Sequence, residues 1–277
     1  IKKRMQLLGE SGDYDIVITE IGGTVGDIES LPYIETVRQL INELGDENCV
    51  VIHLTLIPYL AAAKELKTKP TQHSVKTLME SGIKADVLVC RTEHELTDDL
   101  RRKLALFCNV KQEAVIQSID VDTIYEVPLK MLEEGLDTVV LKKFQLAPKH
   151  PHDLSDWKTF LSKLQQPKNT VKIGLVGKYV ELQDSYKSIL EALIHAGTKH
   201  LTAVEVVSIH SEHLEESNSQ QLLEGLNGVI VAPGFGERGI EGKISAIQYL
   251  REQNIPFLGI CLGMQMAVIE YARNVKG

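Results

Sequence analysis

One cysteine stands in a sequence pattern that suits a nucleophile. Cys261 follows the apolar run of residues 255–260 and precedes a helix-like apolar pattern from Met264 to Tyr271, with Gly259 and Gly263 two residues away on either side. This spacing, G-x-Nuc-x-G, is that of a nucleophile elbow, a sharp strand-to-helix turn beside which only small residues fit. The helix N-terminus that follows favours the thiolate form. The pattern therefore predicts that Cys261 is a catalytic nucleophile.

The alternative for any free cysteine is a buried structural role, because cysteine is among the most buried residue types. Cys90 fits that description, since it ends the apolar run Val87-Leu88-Val89 and no glycines flank it. The chain has four cysteines without regular spacing and no H-E-x-x-H or C-x-x-C motif. This argues against a disulfide framework and a zinc site, and favours a reducing compartment such as the cytoplasm.

A glycine-rich acidic segment follows the first predicted strand. Residues 20–30 contain Gly22, Gly23 and Gly26 together with three carboxylates, those of Glu20, Asp27 and Glu29. Ligands of open α/β sheets bind at the carboxyl ends of strands, and carboxylates suit a hard cation such as Mg²⁺. The sequence predicts a metal role for Glu20. For Asp27 and Glu29 a binding role and a turn in which Asp27 and Ser30 cap the next helix remain equally open.

A lysine-rich segment is the second candidate binding site. Lys64, Lys67 and Lys69 precede a predicted helix that Thr71 could cap. Lysine charges beside the free N–H groups of a helix start can bind phosphate, although a solvated lysine cluster has the same composition. No Walker A motif occurs, and the segment 174–178, G-L-V-G-K, lacks its spacing.

The composition indicates a globular protein without a nucleic-acid or membrane partner. The chain has 277 residues, 43% of them hydrophobic and 25% charged, with a net charge of -8 and no cluster of basic residues. The longest apolar stretch, residues 49–63, is too short to span a bilayer, and no signal peptide is visible. The length favours about two domains.

Strands and helices alternate along the chain, which predicts a fold of two parallel-sheet α/β domains. The apolar patterns predict strands over 15–19, 50–57, 86–90, 114–117, 172–176, 203–209, 228–231 and 255–260, and helices over 33–44, 72–80, 98–107, 186–196 and 244–253. The strand over 50–57 shows no alternation, so both its faces are expected to be buried. Residues 148–170 read as a linker with one helix around Trp157, between domains at 1–147 and 171–277.

Five segments together resemble one enzyme family. They are E-I-G-G-T-V-G-D-I-E-S-L-P from Glu20, K-T-K-P-T-Q-H-S-V from Lys67, A-L-F-C-N-V from Ala105, G-L-V-G-K-Y from Gly174 and G-I-C-L-G-M-Q from Gly259. In order and spacing they are similar to the CTP synthase family from one end of the chain to the other. The resemblance implies an incomplete P-loop or Rossmann-like synthetase domain followed by an incomplete class I glutaminase domain.

The same resemblance implies an activity and its ligands. The synthetase domain phosphorylates the 4-oxygen of UTP with ATP, and ammonia released from glutamine passes through an internal tunnel to form CTP. The implied cofactor is Mg²⁺, with GTP as an allosteric activator and CTP as a feedback inhibitor. The implied assembly is a homotetramer in the cytoplasm.

The resemblance also assigns site residues by position. It implies Mg²⁺ binding by Glu20, glutamine hydrolysis by Cys261, and glutamine binding by Gly234 together with the turn Leu262, Gly263, Met264 and Gln265. It implies ATP binding, at the adenine, by Ile119, Asp120 and Val121. It implies UTP and CTP binding by Asp27, Ile28, Glu29, Lys67, Thr68, Lys69, Pro70, Thr71, Gln72 and Lys103.

Two departures from the family pattern bear on mechanism. The segment Ala232-Pro233-Gly234-Phe235-Gly236 has proline where the family has glycine, and proline has no N–H for an oxyanion hole. Gly234 and Leu262 are then the better oxyanion candidates. The family's P-loop and a second metal carboxylate fall before Ile1, and its catalytic histidine and glutamate fall after Gly277, so this segment alone is expected to be inactive.

Two other functions share part of this pattern. A class I glutaminase fused to another ATP-dependent synthetase would share the elbow but not the segments from Glu20 and Lys67. A regulatory or filament-forming homologue that binds nucleotide without turnover would share all of them.

Overall fold

The computed structural model describes residues 1–147 and 152–277, and the chain divides into two compact units, Ile1–Asp153 and Leu154–Gly277. The division lies inside the segment predicted as a linker, of which residues 148–151 lie outside the described residues. The predicted helix around Trp157 belongs to the second unit, where the Phe160 ring packs edge-on against His195 with centroids 5.8 Å apart. No helix of the described residues is long and apolar enough to cross a membrane.

The first unit is built on a three-stranded parallel sheet of order β1-β4-β5, beside a short antiparallel hairpin of β2 and β3. Its strands are β1 (Ile52–Leu56), β2 (Tyr59–Leu60), β3 (Glu65–Leu66), β4 (Val87–Thr92) and β5 (Val115–Ile119). Its helices are α1 (Lys2–Glu10), α2 (Leu31–Leu44), α3 (Lys69–Glu80), α4 (Asp98–Cys108), α5 (Val127–Glu133) and α6 (Leu136–Lys143).

Helix ends in this unit follow the local sequence. Helix α4 begins after Thr97, whose side chain accepts a hydrogen bond from the Leu100 N–H at 3.3 Å, and it ends at Asn109 in the left-handed conformation. Helix α2 stops at Gly45, where φ is 89°. The main core packs α3 and α4 against the central strand, with Val75, Leu88 and Leu104 at most 1% exposed.

The strand predicted over residues 15–19 does not form. These residues have no regular secondary structure, and Ile18 is 90% exposed. Their β-branched composition favours a strand, yet a strand needs a neighbour for its N–H and C=O groups. Among the described residues no strand lies beside them.

The expectation that both faces of β1 are buried was also wrong. Along β1, His53 and Thr55 are buried whereas Ile52, Leu54 and Leu56 are exposed. The burial alternates with a period of two because only one face of this edge strand packs against the described part of the unit. An unbroken apolar run therefore predicts burial of both faces, although in β1 no described residue covers the second face.

The second unit contains a four-stranded parallel sheet of order β7-β6-β8-β9. Its strands are β6 (Asn169–Gly177), β7 (Thr202–His210), β8 (Gly228–Val231) and β9 (Phe257–Gly259). Its helices are α7 (Ser155–Gln165), α8 (Lys187–Lys199), α9 (Ser219–Leu223), α10 (Ile240–Glu252) and α11 (Leu262–Tyr271), followed by a π-helical turn over Ala272–Lys276. The strand order switches sides between β6 and β8, because β7 lies on one side of β6 whereas β8 and β9 lie on the other. Doubly wound sheets bind ligands at such a switch point.

The core of the second unit lies between this sheet and helices α10 and α11. Val176 and Val231 of the central strands pack with Ile247 and Leu250 of α10 and with Met266 of α11, all at most 4% exposed. Met266 thus holds α11 against this core, whereas β9 is held by its pairing with β8. Two parallel sheets with helical connections confirm the predicted α/β class.

Candidate active site

Cys261 lies in the sharp turn between β9 and α11. Its backbone adopts φ 51° and ψ −106°, a conformation that residues other than glycine rarely enter, and the residue is exposed. The turn is closed by hydrogen bonds from the Ile260 N–H to the Val231 carbonyl at 3.0 Å and from the Gly263 N–H to the Ile260 carbonyl at 2.9 Å. The thiol therefore stands at a helix N-terminus, on a strained and well-anchored turn.

The two glycines beside the cysteine are required by close backbone packing. A Cβ atom at Gly259 would lie 2.6 Å from the Gly263 carbonyl carbon and from the Met264 nitrogen. A Cβ atom at Gly263 would lie 2.8 Å from the Val231 carbonyl carbon and closer still to its oxygen. Because backbone atoms line both spaces, neither site has room for a side chain. The steric reason for the predicted elbow holds in the structure.

The loop after β8 forms the opposite wall of the turn. A Cβ atom on Gly234 would lie 3.5 Å from Cδ2 of Leu262, the residue that directly follows Cys261. Leu262 is the first residue of α11, so its N–H has no partner within the helix. Pro233 has no N–H to offer. Gly234 and Leu262 thus lie side by side at the cysteine turn, and an oxyanion role for their amides stays a prediction.

The remaining residues of the predicted glutamine-binding turn lie in the first turn of α11. Met264 and Gln265 are exposed, whereas Gly263 is buried under β8. The Gln265 N–H donates to the Cys261 carbonyl at 3.1 Å. Both residues thus lie within one helical turn of Cys261, and their binding of glutamine stays a prediction.

The other three cysteines lie in surroundings that disfavour a thiolate. Burial raises the pKa of Cys90 to about 12 and that of Cys108 to about 11. The pKa of half-buried Cys49 is raised by burial and by the neighbouring carboxylate of Asp46. Cys261 is the exposed member of the four. The contrast predicted between Cys261 and Cys90 is therefore visible in their burial.

Alkylation should follow this order. In the native chain treated with iodoacetamide at pH 8, we expect Cys261 to react first, Cys49 more slowly, and Cys90 and Cys108 only after denaturation, because alkylation requires an accessible thiolate. Peptide mass spectrometry over a time course measures the order. Modification of Cys90 or Cys108 ahead of Cys261 would contradict the assignment of the nucleophile.

The lysines of the predicted nucleotide site lie in or near α3 and α4. Nζ of Lys69, in the first turn of α3, lies 5.7 Å from the centroid of the Phe107 ring on α4. Lys103 lies one turn before Phe107 on the same helix, and residues four apart share a helix face. Lys67, two residues before Lys69, is partly exposed and forms an ion pair with Glu65. The start of α3 thus meets the helix that carries Lys103, and a common nucleotide site for the three lysines stays a prediction.

The polar residues of the same segment are buried in the fold. Thr71 donates hydrogen bonds to the Leu56 carbonyl at 3.1 Å and to Oγ1 of Thr55 at 3.2 Å. The Gln72 amide donates to Oγ1 of Thr68 at 3.1 Å. The prediction that Thr71 caps the helix was wrong, because α3 begins at Lys69 with Pro70 in its first turn. Thr71 thus connects α3 to β1, the Gln72–Thr68 bond stays within the start of the helix, and Pro70 is exposed.

The acidic segment forms an exposed turn. The Asp27 carboxylate accepts a hydrogen bond from the Thr24 N–H at 3.0 Å, and the Ser30 hydroxyl donates to the Asp27 carbonyl at 2.8 Å. Neither side chain caps α2. Ile28 is 83% exposed, and Glu20 and Glu29 are exposed as well.

Metal binding by Glu20 stays a prediction. The strand expected to precede it is not formed, and the described residues contain no cluster of three or more His, Cys, Asp or Glu side chains that could hold a metal ion. Mg²⁺ in nucleotide enzymes is commonly bound by one or two carboxylates together with substrate phosphates. An exposed single carboxylate is compatible with that arrangement.

The segment predicted to contact adenine follows β5. Ile119 ends the strand, and the Asp120 carboxylate accepts a hydrogen bond from Nε of Arg91 on the neighbouring strand at 2.9 Å. Val121 follows in the loop. The lysine segment follows β1, so both segments lie at the carboxyl edge of the same sheet, with β4 between their strands. Neighbouring strands lie about 4.8 Å apart, so β1 and β5 themselves are separated by about 10 Å.

Two buried lysines beside the cysteine were not predicted as site residues. Lys178 follows β6 directly, and Lys243 lies in the buried stripe of α10 formed with Ala246, Ile247 and Leu250. The sequence does hold a signal for Lys243, because a lysine interrupts an apolar stripe of helical period. Lys178 stands in the segment 174–178, whose spacing is not that of a Walker A motif and which predicts no role for the lysine.

Both units match known protein families. The family described as "CTP synthase N-terminus" matches residues 1–146, which is more than half of the chain. The chain belongs to the CTP synthase family. The description "Glutamine amidotransferase class-I" matches residues 181–277, which contain the Cys261 turn and most of the second sheet. The family predicted from the five sequence segments is confirmed.

Individual CTP synthases are similar over the whole chain. The identity is 74% over 277 residues to the CTP synthase of Flavobacterium johnsoniae, with 100% of this chain and 52% of the relative covered. The CTP synthases of Cytophaga hutchinsonii and Porphyromonas gingivalis W83 are 63% and 55% identical, with 100% of this chain and 51% of each relative covered. The chain thus spans about half the length of the curated relatives it matches.

One solved structure is also similar in sequence. It is the glutaminase domain of Trypanosoma brucei CTPS with bound acivicin, 40% identical, with a TM-score of 0.37 over 39% of this chain and 42% of that one. Membership of the CTP synthase family is shown by the family match over residues 1–146 and by the identity to the curated relatives over the whole chain.

Proposed function

We propose that this chain supplies the nucleotide-binding part of a CTP synthase and the nucleophile part of its glutaminase. The intact protein would form CTP from UTP, ATP and glutamine. The observation that carries the proposal is the exposed Cys261 thiol on a glycine-framed turn, with Gly234 facing the residue that follows it. The matches to the CTP synthase N-terminus and to class I glutamine amidotransferases support glutamine as the substrate of this thiol.

The proposed glutaminase reaction begins at the thiol. The Cys261 thiolate attacks the carboxamide carbon of glutamine, and the resulting oxyanion accepts hydrogen bonds from the amides of Gly234 and Leu262. Collapse of the intermediate expels ammonia and leaves a thioester, which water hydrolyses to glutamate. Gly263, Met264 and Gln265 complete the glutamine-binding turn. Proton transfer to the departing ammonia requires an acid–base group, and the family resemblance assigns that role to a histidine with a glutamate.

The proposed synthetase reaction uses the carboxyl edge of the first sheet. ATP transfers its γ-phosphoryl group to the 4-oxygen of UTP, and ammonia then displaces phosphate at C4 to give CTP. Lys67, Lys69 and Lys103 would bind the phosphates of UTP or CTP. We place adenine at residues 119–121 and the pyrimidine nucleotide at residues 27–29. Glu20 would hold Mg²⁺, which neutralises phosphate charge when bound.

The remaining parts of the proposal come from the family resemblance. We propose a synthetase domain over residues 1–147, a linker over 148–170 and a glutaminase domain over 171–277. Regulation would involve GTP as activator and CTP as inhibitor, in a cytoplasmic homotetramer.

The test compares two nitrogen sources in the full-length protein that contains this chain. Purified protein is given UTP, ATP and Mg²⁺ with either glutamine or ammonium chloride, and CTP is measured by chromatography. We expect CTP from both sources, at a rate linear in enzyme. Nucleotide binding without any CTP would instead support the regulatory or filament-forming homologue. A glutaminase fused to a different synthetase receives no support, because residues 1–146 match the CTP synthase N-terminus.

The affinity for UTP should depend on Lys67, Lys69 and Lys103. Hydrogen bonds to charged groups contribute about 1.5–3 kcal/mol, so Lys67→Ala, Lys69→Ala and Lys103→Ala should each weaken UTP binding about tenfold or more. UTP titration of CTP formation from ammonia measures the effect. Lys76→Ala is the matched control, since Lys76 lies on the same helix, exposed, and pairs only loosely with Glu80 at 3.7 Å. Wild-type UTP affinity in all three variants would show that these lysines are solvated surface residues without a role in nucleotide binding.

A further inference from the structure

Two ammonium groups are buried at the carboxyl edge of the second sheet. Lys178, directly after β6, is 3% exposed, and Lys243, in α10, is fully buried. Lysine is almost never fully buried unless its charge is compensated, because an unpaired ammonium is costly to remove from water. Among residues 152–277 neither lysine forms an ion pair with a carboxylate. Their burial therefore needs another explanation.

Both ammonium groups bind carbonyl groups of one loop, the loop 232–236 that follows β8. Nζ of Lys243 donates to the Ala232 carbonyl at 2.6 Å. Nζ of Lys178 donates to the Phe235 carbonyl and lies 3.4 Å from the Gly236 carbonyl. The two lysines come from different elements and hold the loop at its two ends.

Gly234 lies between these two attachments. A Cβ atom on Gly234 would lie 3.4 Å from Cε of Lys178, 3.6 Å from Nζ of Lys243 and 3.5 Å from Cδ2 of Leu262. The lysines and the first residue of α11 thus surround the same glycine. Fixing the loop fixes the distance between the Gly234 amide and the turn that holds Cys261.

We infer that Lys178 and Lys243 are positioning residues of the glutaminase site, holding the loop 232–236 by its carbonyls so that the Gly234 and Leu262 amides face a common oxyanion position. The inference rests on the proposed glutaminase function. Lys178 has the larger effect, because it contacts two carbonyls at the end of the loop remote from β8, whereas Lys243 holds the residue directly after β8.

The electrostatics of the pair agree with this role. Burial and the nearby charge of Lys178 lower the pKa of Lys243 to about 8, and the nearby Cys261 thiolate acts in the opposite direction. Below about pH 8 the Lys243 ammonium group is therefore charged, and among the described residues no carboxylate pairs with it. A negative charge that forms at Cys261 is stabilised in this field.

The test uses Lys178→Met in the full-length protein, since methionine keeps an unbranched side chain but has no donor. We expect kcat for glutamine hydrolysis to fall about 30-fold with little change in KM, and CTP formation from ammonia to stay at the wild-type rate. Lys243→Met should lower the same kcat by a smaller factor, about 3-fold to 10-fold. Lys172→Met is the control, because Lys172 is exposed on β6, the strand that directly precedes Lys178.

Hydrogen exchange provides a readout that does not require activity. In Lys178→Met the amides of residues 234–236 should exchange at least tenfold faster, while those of β8 keep their protection. Wild-type kcat together with unchanged exchange would overturn the inference. A parallel loss of ammonia-dependent activity and of β8 protection would also overturn it, because it would show a general structural role. If Lys178→Met does not fold, Lys243→Met provides the same comparison.

The two failures can be told apart. If the wild-type protein does not hydrolyse glutamine but Lys178→Met loosens residues 234–236, the proposed function fails while the anchoring stands. If the wild-type protein hydrolyses glutamine and Lys178→Met does so equally well, only the inference fails.

Discussion

Replacing Cys261 with serine should abolish CTP formation from glutamine in the full-length protein. We expect a loss of about 10³-fold or more, because the serine hydroxyl is not ionised at neutral pH and a nucleophile is needed for every turnover. CTP formation from ammonium chloride should remain, since it bypasses the thiol. The measurement is the ratio of the two rates at saturating UTP and ATP.

The matched control is Cys49→Ser, which changes a half-buried thiol in the first unit. Both rates should survive that substitution within a factor of about two. Glutamine-dependent activity in Cys261→Ser at more than a few per cent of wild type would remove Cys261 from the mechanism. Equal loss of both rates would point to misfolding, and circular dichroism separates that case.

Alanine at Gly263 should strongly destabilise the second unit. The added Cβ atom would lie 2.8 Å from the Val231 carbonyl carbon and closer to its oxygen, and neither backbone segment can move without breaking the pairing of β8 and β9. Overpacking of this kind costs about 3 kcal/mol, which should lower the midpoint of thermal unfolding by about 10 °C. Trp157, the single tryptophan of the chain, lies in α7 and reports on this unit by fluorescence.

Gly225→Ala separates the steric cost from the backbone cost. Gly225 has φ 78° but no atom within 4 Å of a Cβ position. Its substitution should cost only about 1 kcal/mol. If both variants unfolded at the same temperature, the close packing of the elbow would have no energetic role.

The local elements were largely predictable because their signals are local. Apolar runs marked most strands, and Gly45 marked the end of α2. The elbow was predictable for the same reason, since Gly259, Cys261 and Gly263 lie within one turn of chain. Residues 15–19 show the limit of this approach, because strand composition does not supply a pairing partner.

The candidate site was only partly predictable, because some of its contacts join distant residues. Thr71 looked like a helix cap, yet its hydroxyl bonds to Leu56, 15 residues earlier. Lys178 reaches a carbonyl 57 residues later. No periodicity or spacing rule carries such information, which depends on how β6, β8 and α10 are arranged in the sheet.

The backbone at Cys261 has a consequence for how this sequence can evolve. Its φ of 51° and ψ of −106° suit glycine, and a cysteine there carries a strain of about 1–3 kcal/mol. Selection for thermal stability alone would therefore favour glycine at position 261. On the proposed function, the cysteine is retained by selection for the reaction, so a gene copy freed from that selection should lose it early and become more stable by doing so.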